Sequence, residues 1–112
     1  MASKLEETLA WALKHLASDL TGWEREVKPI PGRKFAFDFA FPASRLLIEV
    51  QGGIFRGRGA HAGPTAQKRD MEKLNLCTTN GFRLLQFGPH HLTKAALPDT
   101  LDTIRAALLA PR

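Results

Sequence analysis

The chain is poor in the features that would place it outside the ordinary globular proteins. A single cysteine, Cys77, stands among 112 residues, so no disulfide can close within the chain and a thiolate-rich zinc site lacks its ligands. A reducing, cytoplasmic setting is expected. No apolar run approaches the ~20 residues that a membrane-spanning helix needs, and no basic-then-apolar leader opens the sequence. Neither membrane insertion nor export is expected. Internal repeats, linkers and low-complexity stretches are also missing.

What remains is a mixture that can build one core. Hydrophobic residues make up 44% and charged residues 24% of the chain, enough apolar surface for one domain spanning residues 1–112. The formal charge is +5, with 16 Lys and Arg against 11 Asp and Glu. Basic residues gather at Lys28, Arg33 and Lys34, and again at Arg56, Arg58, Lys68 and Arg69. Such clustering suits a polyanionic partner, nucleic acid above all. Charge alone serves solubility equally well, so it needs a site beside it.

Hydrophobic spacing predicts the elements. Leu5, Leu9, Leu13, Leu16 and Leu20 recur at helical intervals, giving an amphipathic helix over 3–20 with Ser3 and Glu6 as a capping box. A strand is expected from Glu24 to Ile30, stopped by Pro29-Ile30-Pro31-Gly32. From Lys34 to Phe41 the alternation is strict, which predicts Phe35, Phe37, Phe39 and Phe41 on one face and Lys34, Ala36, Asp38 and Ala40 on the other. Leu46–Gln51 reads as a buried strand. A glycine-rich basic loop follows, then a helix from Pro64 to about Asn80, with Met71, Leu74 and Cys77 as its core stripe and Gly81 as its stop. Phe82–Phe87 is a further strand, and a helix from Pro98 carries Leu101, Ile104 and Leu108. The fold class is α/β, in the order α-β-β-β-α-β-α.

The two middle strands hold the most informative pair. If Pro42–Arg45 is a tight loop, Phe41 faces Leu46 and Asp38 falls opposite Glu49. Directly opposed side chains have Cβ atoms roughly 4.5–5.5 Å apart. Two carboxylates at that range repel, and Glu49 interrupts an apolar run where an unpaired acid is expensive. A bound divalent cation relieves both costs. Oxygen-only ligands point to Mg²⁺ or Mn²⁺. The plainer alternative is a pair of solvent-facing acids neutralised by nearby Lys or Arg.

The run Phe37-Asp38-Phe39 and Leu47-Ile48-Glu49-Val50-Gln51 within that element order resembles the PD-(D/E)XK nuclease superfamily. Gly52-Gly53, His61, Arg69–Asn75 and Gly81–Leu85 make it similar to small standalone phage and bacterial nucleases of the VRR-NUC, very-short-patch-repair and Holliday-junction-resolvase kinds. The resemblance implies a restriction-endonuclease-like core, a mixed central sheet flanked by helices, and Mg²⁺-dependent hydrolysis of DNA phosphodiesters. It implies Asp38 and Glu49 as metal ligands, the Val50 carbonyl completing the shell, and Glu6 on the first helix as a further acid. Gln51 stands where the superfamily usually has lysine, so the positive charge must come from elsewhere; Lys73 or the His61 loop could reach in. Lys73 could equally form a surface ion pair with Asp70 or Glu72. The Val-Arg-Arg motif of the first named branch is absent.

Around this centre, Arg56, Arg58, His61, Lys68, Arg69 and Lys73 are the expected DNA contacts. The expected activity is that of an endonuclease on double-stranded or branched DNA, structure-selective or nicking, acting as a homodimer. The alternative is a catalytically inactive DNA-binding subunit of a nuclease complex, with Gln51 as its mark.

Overall fold

In the computed structural model, residues 3–51 and 64–111 are described, with the side chains of 64–66 left aside. The element order is α1 (Lys4–His15), β1 (Glu24–Val27), β2 (Phe37–Phe41), β3 (Leu46–Val50), α2 (Pro64–Thr79), β4 (Arg83–Phe87) and α3 (Leu97–Leu109). The four strands form one mixed sheet in the order β1-β2-β3-β4. The first three run as an antiparallel meander, and β4 lies parallel to β3, from Leu46↔Arg83 to Val50↔Phe87. Parallel neighbours need a crossover, and α2 lies within it.

Two apolar clusters sandwich the sheet. On one face Leu9 and Leu13 of α1 and Leu101 and Ile104 of α3 pack with Phe39, Phe41, Leu46 and Ile48. On the other, Cys77 and Leu76 of α2 meet Ile30, Phe37, Ala40 and Leu47. The result is three layers, each helix burying its apolar stripe against the sheet. No helix among the described residues is long and apolar enough to cross a membrane.

Helix α1 starts as its sequence requires. The Glu6 N–H donates to Ser3 Oγ at 3.2 Å, and the Ser3 N–H donates back to Glu6 Oε2 at 3.2 Å. It stops earlier than leucine spacing suggests, at His15, and Leu16 is exposed. Ser18, Asp19, Thr21 and Gly22 favour turns. The Leu20 N–H closes one onto the Ala17 carbonyl at 2.9 Å, returning Leu20 to the core without helix.

Helix α2 is rotated from the expected stripe. Met71 is 58% and Leu74 47% exposed, whereas Cys77 is buried and Leu76 and Lys73 are partly so. The inward face follows the i, i+3, i+4 row from Lys73 to Cys77, and Leu74 is turned about 100° from Lys73. The row that contains the buried cysteine, rather than apolar character alone, marks the inward face of this 16-residue helix.

The four phenylalanines do not share a face. Phe39 and Phe41 belong to the α1–α3 cluster, while Phe37, with Phe35 against it, belongs to the α2 cluster. The reversal is local. Arg25 pairs with Phe39 and Val27 with Phe37, and Glu26, the residue between, has φ 52°. A left-handed residue rotates the strand, so both strands exchange faces at the Glu26–Asp38 step. Asp38 therefore sits at a switch in the sheet.

The β2–β3 connection also contains a left-handed residue, Arg45, at φ 50°. Its side chain repays the strain. Arg45 Nε donates to the Gly81 carbonyl at 3.1 Å, its terminal nitrogen donates to the Asn80 carbonyl, and its guanidinium lies 4.1 Å from the Phe82 ring centre. These contacts cap α2 where Gly81, at φ 79°, ends it. A Cβ at Gly81 would meet Arg45 Nε at 3.4 Å. Gly81→Ala is expected to destabilise the fold by about 1–2 kcal/mol, the cost of a left-handed alanine, measured by urea unfolding.

Candidate active site

The hairpin register is the one expected from a tight loop: Phe41 pairs with Leu46, Ala40 with Leu47 and Phe39 with Ile48. The ladder then opens. Asp38 and Glu49 are next in line, but they do not form a backbone pair. The Val50 N–H instead donates to Asp38 Oδ2 at 2.7 Å. A side-chain oxygen satisfies the strand donor, as a partly buried N–H requires. Val50 thus contributes its N–H to this contact.

Glu49 meets a cation from the opposite element. Lys73 Nζ of α2 lies 2.6 Å from Glu49 Oε2, both side chains about 15% exposed, and Nζ stands 4.5 Å from the Phe37 ring centre. The expectation that Lys73 pairs with Asp70 or Glu72 is overturned. Glu72 pairs with Arg33 at 2.8 Å instead. A lysine on the inward row of α2, one turn before buried Cys77, has the reach for Glu49, and its ammonium lies over the Phe37 ring on that face. That helical spacing from Cys77 is the signal from which the contact could have been read.

Electrostatics join the members. Burial pushes the Asp38 carboxyl up to about 6; the Val50 N–H opposes this, Glu6 and Glu49 add to it, and Lys73 opposes it again. Glu6 therefore acts on Asp38 from α1, although its carboxylate also serves the helix cap. Gln51 is half-buried and its N–H donates to the Phe87 carbonyl at 2.7 Å; among the described residues no hydrogen bond joins its amide to either acid. Lys68 and Arg69 are exposed on α2. Arg56, Arg58 and His61 lie outside the described residues.

Three further side chains have structural roles. Cys77 is buried, and burial raises its thiol pKa. Trp23 packs on Phe39 at 6.0 Å between ring centres. His91 Nδ1 accepts from the Gly88 N–H at 3.0 Å in the turn after β4.

Asp38 and Glu49 offer hard oxygen donors, with one oxygen of each outside the two bonds described. That donor set suits a hard divalent cation that keeps most of its waters. Among the described residues no three His, Cys, Asp or Glu side chains close a ligand set by themselves. Comparison with protein-family models, curated proteins and solved structures returned no match.

The raised Asp38 carboxyl has a thermodynamic sign. Its folded-state value of about 6 exceeds the ordinary carboxylate value, so ionised Asp38 opposes folding at neutral pH. That cost fades as pH falls from 6 towards 4, where the folded state holds the extra proton. Asp38→Asn is therefore expected to raise Tm at pH 7.5, by about 4–8 °C for each kcal/mol relieved in a domain of this size. The gain should shrink below pH 6 and vanish near pH 4, as followed by thermal unfolding across that range.

Proposed function

We propose that this protein is a Mg²⁺-dependent DNA endonuclease of the PD-(D/E)XK type, acting at Asp38 and Glu49. The observation that carries the reading is the approach of Lys73 to within 2.6 Å of Glu49 beside Asp38. It restores an acid, acid and lysine set in a chain whose motif position holds Gln51. The mixed sheet with an antiparallel meander and a parallel β4 across α2 has the element order of that superfamily's restriction-endonuclease-like core.

Each residue has a distinct task. Asp38 is oriented by the Val50 N–H, and Glu49 by Lys73, so both carboxylates are fixed before substrate arrives. They would hold the metal, with Glu6 adding negative potential from α1. A Mg²⁺ ion held by Asp38 and Glu49 would supply an activated water and a Lewis acid for the scissile phosphate. Lys73 Nζ, partly screened from solvent and backed by the Phe37 ring, faces the charge that develops on phosphorus-bound oxygen. Gln51 is released from that role. Cleavage is structure-selective, and a homodimer presents two such centres to a branched substrate.

The reading is tested with supercoiled plasmid and four-way-junction DNA in Mg²⁺ or EDTA. Metal-dependent cleavage is expected, lost in Asp38→Asn and Glu49→Gln. Lys73→Ala is expected to lower the cleavage rate by about 10²–10³ while DNA binding persists, whereas Gln51→Ala should retain most activity. Binding without cleavage by the unaltered protein under every metal condition would refute the proposal.

A further inference from the structure

A concavity opens beside Lys73. It has a volume of about 480 Å³ and is lined by Arg33, Lys34, Phe35, Ala36, Arg69 and Lys73. This is large enough for a nucleotide. Its walls carry four cations and no carboxylate. Glu72 partners Arg33, and Glu49 partners Lys73. Lys34 and Arg69 have no carboxylate partner among the described residues. The remaining wall is aromatic: Phe35 is half-buried against the cluster of Ile30, Phe37 and Cys77, which anchors the ring.

Cations around one anchored aromatic ring suit an unpaired nucleotide better than a duplex. Bases in a duplex are already stacked and present only edges and phosphates, whereas an unpaired base offers its face to a ring. The recess also shares Lys73 with the acidic centre, so one strand can span both. We propose that this recess holds an unpaired nucleotide of DNA beside the bond cut at Asp38 and Glu49, its base stacked on Phe35 and its phosphates held by Lys34 and Arg69. This rests on the nuclease reading and gives its structure selectivity a cause: the preferred substrate carries an unpaired strand next to the cleaved position.

The test is binding of fluorescent oligothymidine and of a blunt duplex of equal length, without divalent metal so that cleavage does not intervene. The unaltered protein should bind the single strand more tightly. Phe35→Leu, which keeps most of the packing, should weaken single-strand binding about tenfold and leave duplex binding unchanged; Phe35→Trp should restore it. The Lys34→Ala, Arg69→Ala double variant should weaken single-strand binding and flatten its salt dependence by roughly 0.7 per lost phosphate contact. Thermal unfolding establishes that each variant folds. If Phe35→Leu does not, the surface double variant decides, and its retention of full single-strand affinity overturns the proposal. Equal affinity for the two DNAs, or a folded Phe35→Leu with undiminished single-strand binding, also overturns it. Either result with metal-dependent cleavage intact leaves the nuclease reading standing. Selective single-strand binding with no cleavage refutes that reading and retains the recess as a binding site.

Discussion

The hydrogen bond from the Val50 N–H to the Asp38 carboxylate is the constraint from which the site follows. A strand ladder that continued regularly would satisfy that N–H with a carbonyl and leave Asp38 as one more side chain of an antiparallel pair. Here β2 changes face at Asp38, the ladder opens after Phe39↔Ile48, and the carboxylate enters the gap. The left-handed Glu26 on the neighbouring strand makes the reversal possible, at a cost of order 1–3 kcal/mol for a strained backbone position. Strain of this kind persists only where surrounding packing enforces it. The two buried clusters, one on each side of the sheet, supply that enforcement.

The charges at the opening are arranged at the expense of stability. Partial burial raises the Asp38 pKa, and two further carboxylates reinforce the rise. The Lys73–Glu49 pair lies mostly out of solvent, where desolvation offsets much of its attraction. A fold selected for stability alone would place apolar side chains at these positions. Two acids and a lysine meet here instead, each oriented by a neighbour, and Lys73 also lines the basic recess. Under the proposed nuclease reading, such preorganised charge would serve phosphate chemistry.

Separate elements hold this centre in place. Lys73 and the recess residue Arg69 come from α2, Glu6 from α1, and the two principal acids from β2 and β3. The Arg45 side chain joins the β2–β3 turn to the end of α2 through two carbonyls and the Phe82 ring. It therefore couples the strands that bear the acids to the helix that bears the lysine. Position along the chain gives no hint of this link, because Arg45 and Gly81 are 36 residues apart.

Local periodicity determined a good deal without any coordinates. The α-β-β-β-α-β-α order, the capping box, the glycine stop of α2 and the Phe41↔Leu46 register all follow from side-chain spacing and turn chemistry, which act over a few residues. Asp38 and Glu49 could be picked out because acids in apolar strands are costly. Tertiary structure decided the rest. The face of Phe37, the length of α1, the inward row of α2 and the partner of Lys73 depend on which surfaces meet across the sheet. Helical and strand periods specify which residues lie together on one element; they carry no information about what the other elements place opposite them.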